Sequence, residues 1–309
     1  MRKSRWLRRK ATRRLCIVAI VVFGSLNLLA FTGTYFLTHF RAPGQVALGK
    51  PRPTNTKRPS DVGLSYKTQR IPINQSEWLE AWAIPAQTTD PLGTVMLFPG
   101  NGSSKAAQLL PSAKAFHKMG YDILLTDFRG IGGSSGSTTT LGVREAEDVA
   151  IATQYAQDAG YRSPLILYGI SMGSVAILKA VAEDRVQPEA IILEQPFSTM
   201  INAVRSRLRA VKAPTFPMAE LMVFWGSMQH GFNGFAHNPV QHANSVSTPT
   251  LLLHGEQDKW TTLSEIEQLL RNLTGEKQLS TFPEAGHDLL ITVDQAYWQQ
   301  TVEQFLLRL

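Results

Sequence analysis

A serine, a histidine and an aspartate, far apart along the 309-residue chain, have the types and local settings of an acyl-transfer centre. Ser171 lies in Gly169-Ile-Ser171-Met-Gly173, directly after an apolar run at 165–168 and directly before a helical pattern at 174–183. A hydroxyl raised on such a strand-to-helix turn needs small residues on both sides so that strand and helix can approach, and Gly169 and Gly173 supply them. The N-terminus of the following helix adds positive potential and an unpaired backbone N–H where charge would develop on a carbonyl oxygen. The five-letter pattern is weak by itself, because Gly132-Gly-Ser134-Ser-Gly136 matches it too. That second match sits between Phe128-Arg-Gly130 and Ser-Thr-Thr-Thr, lacks a following helix, and is expected to form a turn.

A serine hydroxyl becomes a nucleophile only with a base in hydrogen-bond reach and an acid that orients the base. His287, one of seven histidines, sits in Phe282-Pro-Glu-Ala-Gly-His287-Asp, between the last strand-like run and a C-terminal helical pattern. His254 and Asp258 follow a buried-strand pattern in Leu251-Leu-Leu-His254-Gly-Glu-Gln-Asp258. The order serine, aspartate, histidine is the one expected when the nucleophile stands on a strand-to-helix elbow. Asp258, just past a buried-strand pattern, and Glu194, at the end of the strand pattern after the elbow, are the candidate acids. Asp127 also ends a strand pattern and is expected to be structural, holding the Arg129 loop.

Three such side chains meet only if a regular scaffold brings them to one edge. Continuous apolar runs at 94–98, 123–125, 165–168, 190–193 and 250–253 have the character of strands buried on both faces. Helical patterns at 104–119, 142–159, 174–183 and 264–273 lie between them, the rhythm of crossovers in a mostly parallel sheet. Residues 64–71 and 78–84 alternate more clearly and predict antiparallel edge strands, giving about eight strands with helices on both faces. From 197 to 246 the rhythm lapses into a stretch rich in Met, Phe and Trp, expected to be a small insertion beside the site.

The formal charge of +7 is concentrated at the front of the chain. Arg2, Lys3, Arg5, Arg8, Arg9, Lys10, Arg13 and Arg14 precede the first acid, Asp61, whereas residues 62–309 carry 18 basic against 23 acidic residues. A folded part with an acidic balance gives no support for nucleic-acid binding. Residues 15–40 contain no charged group, and at about 1.5 Å per residue they exceed the roughly 30 Å of a bilayer's hydrocarbon. The segment is longer than the apolar part of a cleaved leader, so 1–40 are expected to be a basic N-terminus and an uncleaved single-pass anchor. The preceding cations predict a cytoplasmic N-terminus with the folded domain on the opposite side. Residues 41–61, rich in proline and glycine, predict a linker, leaving 62–309 as the domain. The lone Cys16 excludes an internal disulfide and offers no metal-binding spacing.

Over residues 65–309 the chain resembles the α/β-hydrolase superfamily, within it the branch of Bem46-like and serine-aminopeptidase-type membrane hydrolases. The resemblance rests on Phe98-Pro-Gly-Asn-Gly, Tyr121-Asp-Ile-Leu-Leu-Thr-Asp-Phe-Arg-Gly, the Ser171 elbow, His254-Gly-Glu-Gln-Asp258 and Gly286-His287. It implies Ser171 as nucleophile, His287 as base, Asp258 as acid, and the backbone N–H groups of Asn101 and Met172 as an oxyanion hole. Pro99 stands where that family usually has histidine. The expected activity is hydrolysis of an ester, thioester or amide through an acyl-enzyme, with a carboxylesterase or lipase favoured. A peptidase of the same fold and a non-catalytic membrane scaffold are the alternatives. The expected substrate is a small or lipid-like acyl compound, and the mechanism requires no metal or organic cofactor.

Overall fold

The computed structural model describes residues 2–309, with side chains from Thr12 onward. The six basic side chains at 2–10 that weigh most in the expected orientation therefore lie outside the described residues. Eight strands form the main sheet: β1 (Lys67–Pro72), β2 (Trp78–Ile84), β3 (Thr94–Phe98), β4 (Asp122–Thr126), β5 (Leu165–Ile170), β6 (Ala190–Glu194), β7 (Thr250–Gly255) and β8 (Lys277–Phe282). Their spatial order is β8-β7-β6-β5-β3-β4-β2-β1, antiparallel only where β2 meets β1 and β4. The reversal of winding between β3 and β5 puts the end of β5 at the centre of the sheet's C-terminal edge, where open α/β sheets place their chemistry.

Both faces of the sheet are dry. Helices α2 (Leu110–Lys118) and α8 (Gln295–Leu306) cover one face, where Phe116 and Trp298 pack against Leu97, Leu125 and Tyr168. Helices α3 (Glu145–Asp158), α4 (Met172–Ala182) and α7 (Leu263–Asn272) cover the other, around Met96, Leu167 and Leu193. Continuous apolar strands follow directly, because each residue faces one core or the other. The insertion supplies α5 (Met200–Ala210) and α6 (Met218–His230), and α6 packs against the far end of α1 (Arg2–Thr38).

Element boundaries depart from expectation where local chemistry intervenes. The first strand begins at Lys67 rather than near residue 64, because the chain makes a 3-10 turn over Pro59–Val62 closed by Gly63 at φ 80°. The pattern at 104–119 is broken into Lys105–Gln108 and α2, whose early Pro111 has no N–H to continue the ladder. Helix α3 starts at Glu145 rather than 142, since the Glu145 carboxylate accepts the N–H groups of Thr140 and Gly142, both at 2.9 Å, and organises the entry turn.

The segment 41–61 is docked on the domain. Residues Lys50–Pro51 pair with Phe40–Arg41, Arg52 reaches Ser134 O, and Asn55 donates to Asp127 Oδ2 at 2.8 Å. Asp127 is structural and holds the Arg129 loop, as expected, and it has further partners. Its carboxylate holds the buried Lys105 ammonium and, at 2.7 Å, the Lys105 N–H; it reaches the following loop through Gly133 N–H at 3.1 Å. Arg129 turns instead to Glu147 and Asp148, each at 2.6 Å, because the first turn of α3 presents both acids toward it. The second serine pattern is a turn: Ser134 Oγ donates to Asp127 O at 2.6 Å and accepts Glu80 N–H at 2.8 Å.

Candidate active site

Ser171 stands between β5 and α4 with φ 52° and ψ −108°, a backbone region that non-glycine residues occupy only when the surroundings enforce it. The enforcement is visible in the glycines. A Cβ on Gly169 would lie 2.5 Å from Gly173 C and Ser174 N, and one on Gly173 would lie 2.4 Å from Phe98 O. Both positions must be bare for the strand, the helix and the loop after β3 to close on one another. The Ser171 N–H donates to Glu194 O at 2.7 Å, and Ser174 Oγ donates to Gly169 O at 2.6 Å, which clamps the elbow to the end of β6.

The end of β7 and the loop after β8 bring the other two side chains to the same point. His287 Nε2 lies 3.0 Å from Ser171 Oγ, and His287 Nδ1 lies 2.7 Å from Asp258 Oδ2. With Asp258 ionised, Nδ1 carries the proton and donates to the carboxylate, leaving the Nε2 lone pair for the hydroxyl. The other Asp258 oxygen accepts the N–H groups of Trp260 at 2.7 Å and Thr261 at 3.2 Å. Burial pushes this carboxyl up, but the hydrogen bond and charge of His287, with the two backbone donors, outweigh it and hold Asp258 below the usual carboxylate range. Glu194 is engaged elsewhere. Buried at the end of β6, it accepts Tyr168 O–H at 2.6 Å, Trp298 Nε1–H at 3.1 Å and Leu290 N–H at 2.8 Å, and burial raises its pKa.

The histidine loop is positioned by residues that carry no recognisable pattern in the sequence. A Cβ on Gly255 would lie 2.3 Å from Gly286 O, so the loop lies directly on the end of β7. Gln195, at φ 55°, donates from Nε2 to Gly286 O at 2.8 Å and Asp288 O at 2.7 Å, one bond on each side of His287. Trp260 covers the imidazole, with ring centroids 4.6 Å apart, and the Arg207 guanidinium of α5 lies 5.0 Å from the Trp260 ring. Gln195→Ala is expected to leave the fold intact and lower kcat by about tenfold, the equivalent of one to two net hydrogen bonds, with KM little changed. Steady-state kinetics on a soluble ester check this, and an equal rise in KM would assign Gln195 to substrate binding instead.

Asn101 and Met172 face each other across the elbow. Thr139 Oγ1 lies 3.3 Å from Asn101 Oδ1 and 3.4 Å from Met172 Sδ, and a Cβ on Gly100 would lie 3.4 Å from Ile170 O. Among the described residues neither the Asn101 nor the Met172 backbone N–H meets an acceptor. Met172 opens α4, so its N–H belongs to the unpaired first turn that favours negative charge. A separate cavity of about 360 Å³, lined by Tyr66, Ile84, Asp122 and Tyr161, lies at the N-terminal edge of the sheet and contains none of these groups.

The prolyl oligopeptidase family matches the chain over residues 109–309. The chain is similar to lysophosphatidylserine lipase ABHD12 of Danio rerio, 24% identical over 65% of this chain and 57% of that protein. It is similar as well to protein bem46 of Schizosaccharomyces pombe, 21% identical over 76% and 75% of the two chains. Among solved structures, an esterase of Pyrococcus furiosus superposes with a TM-score of 0.70 at 23% identity, covering 84% of this chain and 96% of that one.

Proposed function

This chain belongs to the prolyl oligopeptidase family of α/β-hydrolases, and we propose that it is a membrane-anchored serine hydrolase acting on carboxylic esters through an acyl-enzyme on Ser171. The observation that carries this is the unbroken relay Ser171 Oγ to His287 Nε2 at 3.0 Å and His287 Nδ1 to Asp258 at 2.7 Å. As Oγ bonds to the ester carbonyl carbon, its proton passes to Nε2 and the imidazolium is held by Asp258. The carbonyl π electrons move to oxygen, which the Asn101 and Met172 N–H groups receive; such donors are each worth about 3–4 kcal/mol. Collapse restores the carbonyl, and the leaving alcohol takes the proton from Nε2. Water then repeats the sequence on the acyl-enzyme, releasing the acid and returning Ser171 to its hydroxyl form.

The helix spanning Thr12–Thr38, 27 residues long, is long and apolar enough to cross a bilayer, and we assign it as the anchor. A cytoplasmic N-terminus, with residues 62–309 as the hydrolase domain across the membrane, is the topology that the basic front favours.

A finer assignment follows from Arg207. Among the described residues it meets no carboxylate, although it is half-buried beside the Trp260 roof, and burial lowers its pKa against the opposing charge of Asp258. Lys50 is also half-buried, and its pKa is lowered by burial and then by the charge of Arg207. Two half-buried cations, neither in an ion pair among the described residues and one of them beside Asp258, suit an ester whose alcohol part carries an anion, in keeping with a relative named for lysophosphatidylserine hydrolysis. Arg207→Gln should raise KM for an anionic lysophospholipid on the order of tenfold, the worth of one charge-assisted hydrogen bond, and leave a neutral short-chain ester unaffected. Equal losses on both substrates would remove Arg207 from recognition. The ester assignment itself is tested by comparing kcat/KM for matched ester and aminoacyl-amide reporters. Preference for the ester supports it, and preference for the amide would make the chain a peptidase.

A further inference from the structure

The anchor is not a free tether. The last turns of α1 carry polar groups spaced for a partner, and those of Asn27, Thr34 and Thr38 find it on α6. Trp225 Nε1–H donates to Asn27 Oδ1 at 3.2 Å, Thr34 Oγ1 donates to Met222 O at 3.3 Å, and Gln229 Nε2 donates to Phe31 O at 3.0 Å. Thr38 Oγ1 lies 2.9 Å from His230 Nε2, and the rings of Phe31 and Trp225 meet edge to face at 5.3 Å.

These contacts fix depth as well as position. About 20 residues cross the hydrocarbon, so whichever stretch of 15–40 does so, Asn27 lies at least about seven residues, or roughly 10 Å, inside the end nearer the domain. An amide at that depth needs internal partners. Asn27 has them in Trp225 and, through Nδ2, in Phe23 O at 2.9 Å. Trp225 cannot make this bond from the water phase, so α6 must follow α1 past the headgroups.

The outer surface of the insertion fits that setting. Phe216, Phe224 and Met228 are 76%, 45% and 64% exposed, Val211 just before them is exposed too, and the partner helix α1 bares Leu28 and Phe36. Such a patch is costly against water and suits acyl chains. Glu220, the one acid of α6, is paired with Arg205 at 2.6 Å, while Arg209 and Lys212 stay exposed at the α5 end, placed for lipid phosphates. We infer that α6 and the chain entering it are a second membrane-seated element, immersed in the leaflet on the domain side of the bilayer and locked to the anchor through Trp225 and Asn27. Because α5 carries Arg207 over the Trp260 roof, this seat brings the mouth of the site to the headgroup level, where a lipid ester can enter without passing through water.

The experiment uses the full chain with Cys16→Ser, reconstituted in phosphatidylcholine vesicles containing phosphatidylglycerol. Single cysteines at Phe224→Cys and Met228→Cys, and at Leu92→Cys as the aqueous control, carry an environment-sensitive fluorophore. Quenching is read from nitroxide-labelled lipids and from aqueous iodide. Labels at 224 and 228 should be quenched several-fold more by lipid nitroxide than by iodide, and the label at 92 should show the reverse. Labels at 224 and 228 that behave like the one at 92 overturn the inference. Circular dichroism checks folding, and Phe216→Cys substitutes for a variant that fails to fold. Hydrolysis plays no part in the readout, so failure here is separate from failure of the acyl-enzyme assignment.

Discussion

Ser171→Ala is expected to lower kcat on esters by a factor on the order of 10⁵–10⁶, with the melting temperature almost unchanged, because the hydroxyl is the bond-forming atom and its loss leaves the packing intact. The alternative serine cannot take over. Ser134 is buried, and its hydroxyl is occupied by Asp127 O and Glu80 N–H at the side of the sheet where β2 and β4 pair. Small residual activity through bound water is compatible with this outcome, since the backbone donors and the imidazole remain. Turnover within tenfold of the parent, measured with purified full chain on a chromogenic ester, would place the chemistry elsewhere.

Asp258→Asn is the second large effect, expected at about 10⁴-fold in kcat with KM little changed. An amide at this position can present its NH₂ to His287 Nδ1, which favours the tautomer whose Nε2 bears a proton and can no longer accept one from Ser171. The same substitution has a stability signature. The folded carboxyl of Asp258 titrates below its unfolded value of about 3.9, so its ionised form contributes stability that is fully present above that value. That contribution is lost as pH falls through the lower, folded value. The parent should therefore exceed Asp258→Asn in melting temperature most at neutral pH, with the gap narrowing below about pH 4. A gap that widens on acidification would mean that the carboxyl is raised, not lowered, by its surroundings.

The parts of this molecule that could be foreseen are those encoded by neighbours in the chain. Runs such as 165–168 and 250–253 are apolar at every position, which a strand between two helical layers requires, and the eight-stranded, mostly parallel sheet follows from them. Gly169 and Gly173 flank Ser171 because three backbone segments converge there, so the elbow is written in five adjacent letters. His287 and Asp258, 29 positions apart, are each identifiable by the end of a strand pattern nearby.

What could not be foreseen depends on contacts between distant segments. Gln195 supports the histidine loop from 91 positions away, and nothing about a glutamine after a strand announces that duty. Asp127 holds the Arg129 loop through Gly133, as expected, but that its carboxylate also faces Lys105 and Asn55, and that α3 captures Arg129, depends on distant segments. Asn27 and Trp225 are separated by 198 positions, so the docking of the anchor on the insertion appears only in three dimensions.

The most direct measurement is covalent labelling of the full chain in vesicles by a fluorophosphonate, with the modified residue located by mass spectrometry. A single adduct on the Ser171 hydroxyl, absent in Ser171→Ala and formed far more slowly in His287→Ala, is the expected result. A folded parent protein that stays unlabelled, or one labelled on another residue, would contradict the proposal that these three side chains form a working acyl-transfer site.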